Sequence, residues 1–302
     1  MKITFNDEIS GALHFDKPIV ALESTVIAHG LPYPQNIETA KKMEQIVRDG
    51  GAIPATIAIF DGEILVGLED RHLEQLAADK NVRKISRRDL PIALGRKLTC
   101  ATTVATTAFI ANAAGIDVFA TGGIGGVHRG YSNDISADLP ELANTRMIVV
   151  CSGAKIVLDL PATREWLETH GVTVLGWKCD DMPAFYSRSS GLPVDERVET
   201  AHDIAAIADA RAELGMNSSI LVTVPVPEAS EIDGDELEDI LADALRSASE
   251  KKISGKEITP FLLAAMSNAS GGRTMAANIA LLENNARIAA EVAVEFAGFS
   301  GR

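Results

Sequence analysis

The sequence predicts an α/β fold, specifically a three-layer α/β/α arrangement around a central, largely parallel or mixed sheet, in one domain spanning residues 1–302. Apolar runs of strand length alternate with amphipathic stretches of helix length along the chain. Most of these runs are near-continuous in Val and Ile, which is typical of strands covered on both faces. The chain has 302 residues, 46% of them hydrophobic and 23% charged, which is enough to bury a sizeable core.

The predicted elements follow this alternation. The first helix should begin after Asn36 as its N-cap and end at Gly50. The last helix is rich in alanine and has little charge to solvate it all round, so we expect it to pack against the body of the protein or a neighbouring subunit. The predicted strands are Ile19–Leu22, Thr56–Phe60, Val118–Thr121, Met147–Cys151, Val172–Gly176 and Ile220–Val224. The other predicted helices are Thr103–Ala114, Arg164–His170, Glu199–Leu214, Asp235–Glu250 and Thr274–Phe296.

The net charge of the chain excludes some classes of binding partner. The formal net charge is −14 and the basic residues are scattered, which argues against nucleic-acid polymers and anionic membranes as partners. A phosphorylated small molecule would need a local cationic pocket. No stretch approaches the roughly 18 apolar residues of a membrane span. Cys100, Cys151 and Cys179 have no paired spacing, and no secretory signal is present, so we expect a cytoplasmic protein.

A carboxylate interrupts the first apolar strand run, in the segment Ala21–Thr25. One interpretation of Glu23 is a buried structural acid bonded to backbone N–H groups or to a lysine. The other is a general acid, because burial favours the neutral carboxylic acid and raises its pKa. Ligands gather at the carboxyl ends of strands in α/β sheets, which is where this residue is predicted to lie.

A glycine loop, Thr121–Gly130, follows the predicted strand at Val118. Its glycines allow close approach of the backbone to a ligand and could form an anion nest, with His128 and Arg129 as further donors, although a plain tight connection explains it as well. Beyond the loop, Asp134 and Asp138 flank Ser136. One of these carboxylates could hold a divalent metal with several waters; the alternatives are solvated loop acids or a helix N-cap.

Lys155 follows a buried strand that ends in small residues. If a helix begins at this point, its dipole disfavours a cation there, so the residue is poorly explained by stability. A lysine among apolar neighbours or near another cation, for which Lys84 is a candidate, can act as a nucleophile that forms a Schiff base with a sugar aldehyde. A surface side chain is the alternative.

Several of these segments, in this order, resemble the pseudouridine 5′-phosphate glycosidases, the family also described as indigoidine synthase A-like. The matching segments are Ala21–Thr25, His29–Asn36, Pro54–Ala58, Ser86–Pro91, Ala120–Gly130 and Gly153–Lys155. The resemblance covers nearly the full chain. It implies reversible cleavage of the C–C glycosidic bond of pseudouridine 5′-phosphate to uracil and ribose 5-phosphate, with Mn²⁺ as the metal. It also implies a homotrimer and functional pairing with a pseudouridine kinase.

The resemblance also assigns residues. It places the Schiff-base nucleophile at Lys155, the proton donor at Glu23 and the metal carboxylate at Asp134, with Asp138 as the alternative ligand. The resemblance also implies that the Asn278 amide contacts the uracil. The substrate contacts that it implies are Lys84, Val104, Thr121, His128, Ser136, Ala137 and Asp138.

The chemistry explains these residue types. A C–C bond offers no heteroatom leaving group for an ordinary pair of carboxylates to protonate, so the enzyme needs an electron sink, which a lysine iminium provides. Two other hypotheses stay open at this point. The first is an aldolase-like or pigment-pathway Schiff-base enzyme acting on another phosphosugar. The second is a non-catalytic nucleotide-binding regulator that uses only the glycine loop.

Overall fold

The computed structural model describes residues 1–130, 133–253 and 258–300. In this part of the chain the strands are β1 (Ile3–Phe5), β2 (Ile19–Glu23), β3 (Ile53–Phe60), β4 (Glu63–Val66), β5 (Arg83–Ile85), β6 (Cys100–Thr102), β7 (Val118–Ala120), β8 (Val127–His128), β9 (Ile148–Cys151), β10 (Leu158–Asp159), β11 (Thr173–Trp177), β12 (Glu196–Val198) and β13 (Ile220–Thr223).

The helices of the same part of the chain alternate with these strands. They are α1 (Asp7–His14), α2 (Gln35–Asp49), α3 (Asp70–Ala78), α4 (Leu90–Gly95), α5 (Val104–Ala113), α6 (Asp138–Asn144), α7 (Leu160–Thr169), α8 (Ala201–Glu213), α9 (Gly234–Glu250), α10 (Ile258–Ala269) and α11 (Arg273–Ser300). None of the helices described combines the length and the apolarity that a membrane crossing requires.

One mixed sheet forms the centre of the fold. Its order is β1-β4-β3-β2-β7-β9-β13-β11-β12, with β6 paired to β3 and β5 paired to β6. The run from β3 to β12 is parallel throughout, while β4 and β6 lie antiparallel to β3. Helices cover the sheet, so the predicted α/β/α class is confirmed. The carboxyl ends of β2, β7 and β9 meet at one edge.

The central strands are buried because both of their faces are covered. Val149, Val150 and Leu221 have no exposed surface, in agreement with the continuous apolar runs that predicted these strands. The long helix α11 packs on α2 and α8 and also contacts β7 and β9. The predicted packing of this helix against the body of the protein is therefore confirmed, although it begins at Arg273 and extends to Ser300.

The predicted N-cap of the first helix is wrong. Helix α2 begins at Gln35, and Asn36 lies inside it with a buried side chain. The Asn36 amide donates hydrogen bonds to the carbonyl oxygens of Ile27 (2.8 Å) and Ala77 (3.2 Å). Asn36 therefore ties the start of α2 to a π-helical turn, Val26–Gly30, that follows β2.

Candidate active site

Two adjoining cavities lie at the edge where β2, β7 and β9 end. The inner cavity is small and is enclosed by Glu23, Lys84, Thr121, Lys155, Phe185 and Asn278 among others. The polar cavity, of about 280 Å³, lies between Lys84, Arg88, Val104, His128, Asp134 and Ser136–Asp138. Glu23 and Lys155 line both. Every site residue that the family resemblance assigns lines one cavity or both, which brings together segments as distant as Glu23 and Asn278.

Glu23 is the last residue of β2, and its partial exposure is to these cavities. Desolvation raises the pKa of its carboxyl, and the nearby Lys155 ammonium and a hydrogen bond from the Thr121 hydroxyl oppose that shift without cancelling it. A carboxyl whose pKa is raised in this way holds a proton over a wider pH range, as a general acid requires.

The hydroxyl groups of the two residues that follow Glu23 in the chain hold the end of β2 in place. The Ser24 hydroxyl donates to the carbonyl oxygen of Ile57 (2.7 Å) and accepts from the N–H group of Thr102 (2.9 Å). The Thr25 hydroxyl donates to the carbonyl oxygen of Thr102 (2.7 Å). These bonds join β2 to β3 and β6, so the carboxylate extends from a rigid strand end.

Lys155 lies in a short non-helical segment after β9, and its backbone is paired with the glycine loop. The Ser152 N–H donates to the Gly122 carbonyl (2.9 Å), and the Lys155 N–H donates to the Ile124 carbonyl (3.1 Å). The premise that a helix begins at Lys155 is wrong, because the next helix, α7, begins at Leu160. No helix dipole therefore disfavours the charge of Lys155. Its side chain lines both cavities, which accounts for a lysine at this position.

The glycine loop packs closely against protein groups. A Cβ atom at Gly125 would lie 2.1 Å from the Ser136 hydroxyl oxygen, so only glycine fits there. The Gly125 N–H donates to Asp138 (2.8 Å), whose other carboxylate oxygen accepts from the Ala105 N–H (2.9 Å) at the start of α5. The anion bound by the loop at this position is therefore Asp138, a structural acceptor, and not a ligand.

Arg129 differs from its predicted role as a ligand donor. Its guanidinium donates to the carbonyl oxygens of Leu158 (3.1 Å) and Ile156 (3.3 Å). Arg129 thus supports the turn that follows Lys155. His128 does face the polar cavity, and its Nδ1 lies 2.7 Å from Asp134 Oδ2.

The polar cavity combines basic side chains with the carboxylates of Glu23, Asp134 and Asp138, and it offers local donors for a phosphate on an acidic body. Lys84, Arg88, His128 and Lys155 line it, and Lys84 extends from β5 beside β6. A phosphate group in this cavity would be surrounded by these donors. Arg88 is a residue that the sequence analysis missed, although it lies in the matched segment Ser86–Pro91.

Helix α11 closes the inner cavity from the other side. Asn278 is 8% exposed and lines the inner cavity, while Asn285, one helical repeat of seven residues further, is fully buried. The Asn285 amide donates to the Thr121 carbonyl (2.9 Å) and to the Ser152 hydroxyl (3.2 Å), and so it joins α11 to the ends of both β7 and β9. Asn285 could not be predicted from the sequence, because its partners are more than a hundred residues away.

Phe185 is a third residue of the site that was not predicted from the sequence. Its backbone has a φ of +64°, a left-handed conformation that bulky side chains rarely adopt. The ring lies against Gly123, where an added Cβ atom would be 2.7 Å from it. Strain of this kind persists where the surrounding structure enforces it, often at ligand sites. No local sequence pattern marks it.

Comparisons with known proteins find relatives over nearly the full length of the chain. The family model described as indigoidine synthase A like protein matches residues 8–295. A pseudouridine-5′-phosphate glycosidase from Geobacillus kaustophilus is 51% identical over 295 residues, which cover 97% of this chain and 98% of that protein. A protein of the same name from Clostridium botulinum is 51% identical over 296 residues, covering 97% of this chain and 96% of its own length.

Two solved structures share the whole fold. The prealnumycin C-glycosynthase AlnA, in complex with ribulose 5-phosphate, superposes with a TM-score of 0.92 at 40% identity and covers 99% of this chain and 98% of its own. An indigoidine synthase A-like protein from Thermotoga maritima has a TM-score of 0.90 at 37% identity, with coverage of 98% and 96%. The family match spans nearly all of the chain, and the chain therefore belongs to the indigoidine synthase A-like proteins.

Proposed function

We propose that this enzyme reversibly cleaves the C–C glycosidic bond of pseudouridine 5′-phosphate, giving uracil and ribose 5-phosphate through a Schiff base on Lys155. The observation that carries the proposal is the convergence of Glu23 and Lys155 on both cavities, with cations on one side and Asn278 on the other. Relatives about half identical to the chain are named for this activity.

The charges orient the substrate. The phosphate lies in the polar cavity among Lys84, Arg88 and His128, and the uncharged base points into the inner cavity towards Asn278. The Asn278 amide can both donate to a uracil carbonyl and accept from a ring N–H. The sugar C1′ atom then lies between the phosphate and the base, next to Glu23 and Lys155.

Protons and electrons move between Glu23, Lys155 and the substrate. Glu23 gives its proton to the ring oxygen as the bond from that oxygen to C1′ breaks, and the Lys155 amine adds at C1′. The added amine returns a proton to the Glu23 carboxylate, which passes it to C5 of the uracil ring. The nitrogen lone pair then forms the iminium as the C1′–C5 bond breaks, and the electrons of that bond restore the conjugated uracil ring. Uracil leaves protonated at C5, and water hydrolyses the iminium to release ribose 5-phosphate and the amine.

Asp134 fits a divalent cation such as Mn²⁺ better than Asp138 does. The Asp134 carboxylate is 58% exposed and faces the polar cavity, whereas both oxygens of Asp138 already accept backbone N–H groups. Among the described residues no three His, Cys, Asp or Glu side chains cluster as a metal cage, which suits an ion held by one carboxylate and several waters. When bound, the ion would supply positive charge beside the phosphate.

The proposal is tested by incubating the purified protein with pseudouridine 5′-phosphate and Mn²⁺ and separating the products by chromatography. We expect uracil and ribose 5-phosphate in equal amounts. Failure to release uracil under these conditions would refute the activity. A homotrimeric state and pairing with a pseudouridine kinase remain expectations of the family resemblance.

A second candidate is a Schiff-base enzyme for another phosphosugar. The observation that favours it is the C-glycosynthase of the same fold, which was solved with ribulose 5-phosphate. This candidate predicts a covalent adduct with a phosphosugar but no uracil from pseudouridine 5′-phosphate, so the same assay separates the two.

A further inference from the structure

A third cavity continues from the inner one beneath α10 and α11. This outer cavity has a volume of about 460 Å³ and shares His29, Gly30, Pro260, Leu263 and Asn278 with the inner cavity, whose volume is about 70 Å³. The volume of the outer cavity is in the range of small-molecule sites. The base-binding side of the site therefore does not end at Asn278 but opens into a larger space.

The lining of the outer cavity is uncharged. Among the described residues that line it there is no Asp, Glu, Lys or Arg, in contrast to the polar cavity, which has the cationic side chains of Lys84, Arg88 and Lys155 and three carboxylates. Apolar groups such as Leu31, Leu263 and Met275 alternate with the polar groups of Ser267 and Asn268. Such a wall suits a neutral, partly aromatic ligand and not a phosphate.

Two buried polar side chains on this wall form no hydrogen bond with the described part of the chain. The Tyr186 side chain is 1% exposed and the Asn278 side chain is 8% exposed, and both line the outer cavity. Buried polar groups usually have partners, so unpaired ones that face a cavity point to a ligand. Asn278 lies on the wall of both cavities, and Tyr186 faces only the outer one.

The strained backbone at Phe185 separates the two spaces. Phe185 lines the inner cavity and the next residue, Tyr186, lines the outer one, with ring centroids 4.7 Å apart. The φ of +64° at Phe185 is the local conformation that accompanies this arrangement of consecutive aromatic side chains. An aglycone passing Phe185 from the inner cavity would meet the Tyr186 side chain.

We propose that the outer cavity is an extended aglycone subsite, which takes an uncharged ring carried by a uracil-like heterocycle on the side away from the sugar. The inference rests on the proposed function and names its wider substrate class, C-ribosides of aglycones larger than uracil. In the synthetic direction one C–C bond forms between C5 of the heterocycle and C1′ of ribose 5-phosphate. The C5 proton is released and the aldehyde oxygen leaves as water, so no oxidant or reductant is required.

The probe is 1-benzyluracil, which keeps C5 free and carries its second ring on N1. Wild-type protein is incubated with ribose 5-phosphate, Mn²⁺ and either uracil or 1-benzyluracil, and the products are identified by mass spectrometry. We expect both to be joined to the sugar with loss of water, with kcat/KM for 1-benzyluracil within about tenfold of that for uracil.

A matched pair of variants tests whether the benzyl ring of 1-benzyluracil binds in the outer cavity. Ala264 is an exposed residue of α10 that lines the outer cavity only, and Ala269 is an exposed residue of the same helix that lines none of the three cavities. Ala264→Phe should lower kcat/KM for 1-benzyluracil by about tenfold or more and leave that for uracil within about twofold. Ala269→Phe should change neither.

The possible failures are distinguishable. If uracil is joined and 1-benzyluracil is not, the subsite is wrong while the proposed function stands. If 1-benzyluracil is joined equally well by Ala264→Phe, its second ring lies elsewhere and the assignment of the outer cavity is overturned. If neither is joined, the proposed function fails and the subsite fails with it.

Discussion

Glu23 ends β2 and Lys155 follows β9, and both side chains line the same two cavities, where they suit different tasks. Burial holds the pKa of the Glu23 carboxyl above its ordinary value in spite of the Lys155 ammonium. The carboxyl can therefore carry the proton that the departing sugar oxygen needs. The Thr121 hydroxyl, which donates to Glu23, follows β7, the strand that lies between β2 and β9.

Replacement of Glu23 by Gln tests the proton donor. Gln keeps the size of the side chain and an oxygen that can accept from Thr121, but it has no acidic proton. We expect turnover of pseudouridine 5′-phosphate to fall by about 100-fold or more, measured by uracil release. For wild-type protein, activity should decline as the pH rises through the raised pKa of Glu23, since the neutral form is the active one.

The stability of the same variant provides the control. The folded-state pKa of Glu23 is raised, so the unfolded chain loses this proton at lower pH, and the carboxyl costs stability as the pH rises from the unfolded to the folded value. The thermal unfolding midpoint of Glu23→Gln at neutral pH should therefore equal or exceed that of wild type. Unchanged turnover in this folded variant would rule out Glu23 as the donor.

At the scale of elements, the site depends on α11 as much as on the sheet. Asn285 bonds to Thr121 and Ser152, which precede the glycine loop and the Lys155 segment. One side chain thus fixes the relative positions of the two loops. Prediction of the helix itself required only its periodicity, whereas this contact spans 164 residues to Thr121 and 133 to Ser152 and leaves no local signal.

Replacement of Asn285 by Ala should destabilise the protein by about 2 kcal/mol, because it leaves the buried Thr121 carbonyl and Ser152 hydroxyl without this partner. Denaturant unfolding measures the loss, and turnover should fall with it. The matched control is Asn284→Ala, since Asn284 is only half-buried, its amide N–H group makes a long bond of 3.5 Å to the Pro225 carbonyl, and its oxygen accepts only from the exposed Arg287 (3.0 Å) within the described residues. Equal losses for both variants would contradict the role of Asn285.

The elements differ in how well sequence predicts them, for physical reasons. Strands buried on both faces, such as β9 and β13, were predicted within one residue because their apolar runs are continuous. The short strands β5 and β6 and the helix α10 were missed. Three residues make too short a pattern, and the almost wholly apolar stretch Ile258–Ala269 has no alternation with polar residues from which to assign a face.

On the scale of the whole molecule, an acidic protein concentrates cations at one place. The chain has a formal net charge of −14, yet the polar cavity combines Lys84, Arg88, His128 and Lys155. Long-range attraction therefore contributes little to phosphate capture, and the local donors must supply the affinity. The sequence predicted a cationic pocket on an acidic body, and the structure brings these residues together from separate segments of the chain.

What the sequence could not predict is the extent of the site beyond its motifs. The motif residues Glu23, Thr121 and Lys155 follow strands and were placed by the rule that ligands bind at strand ends. The outer cavity arises where α10 and α11 lie over the turn that follows β2. Its shape depends on how distant helices pack, and no spacing of residues encodes that packing locally.

The central claim is that Lys155 forms the covalent bond to the sugar, and borohydride trapping tests it most directly. The protein is incubated with ribose 5-phosphate, reduced with sodium borohydride, digested and analysed by mass spectrometry. We expect one reduced sugar phosphate on Lys155 in wild-type protein and in the surface control Lys42→Ala, and none in a folded Lys155→Ala variant. Absence of the adduct from wild-type protein, or its persistence in Lys155→Ala, would contradict the account.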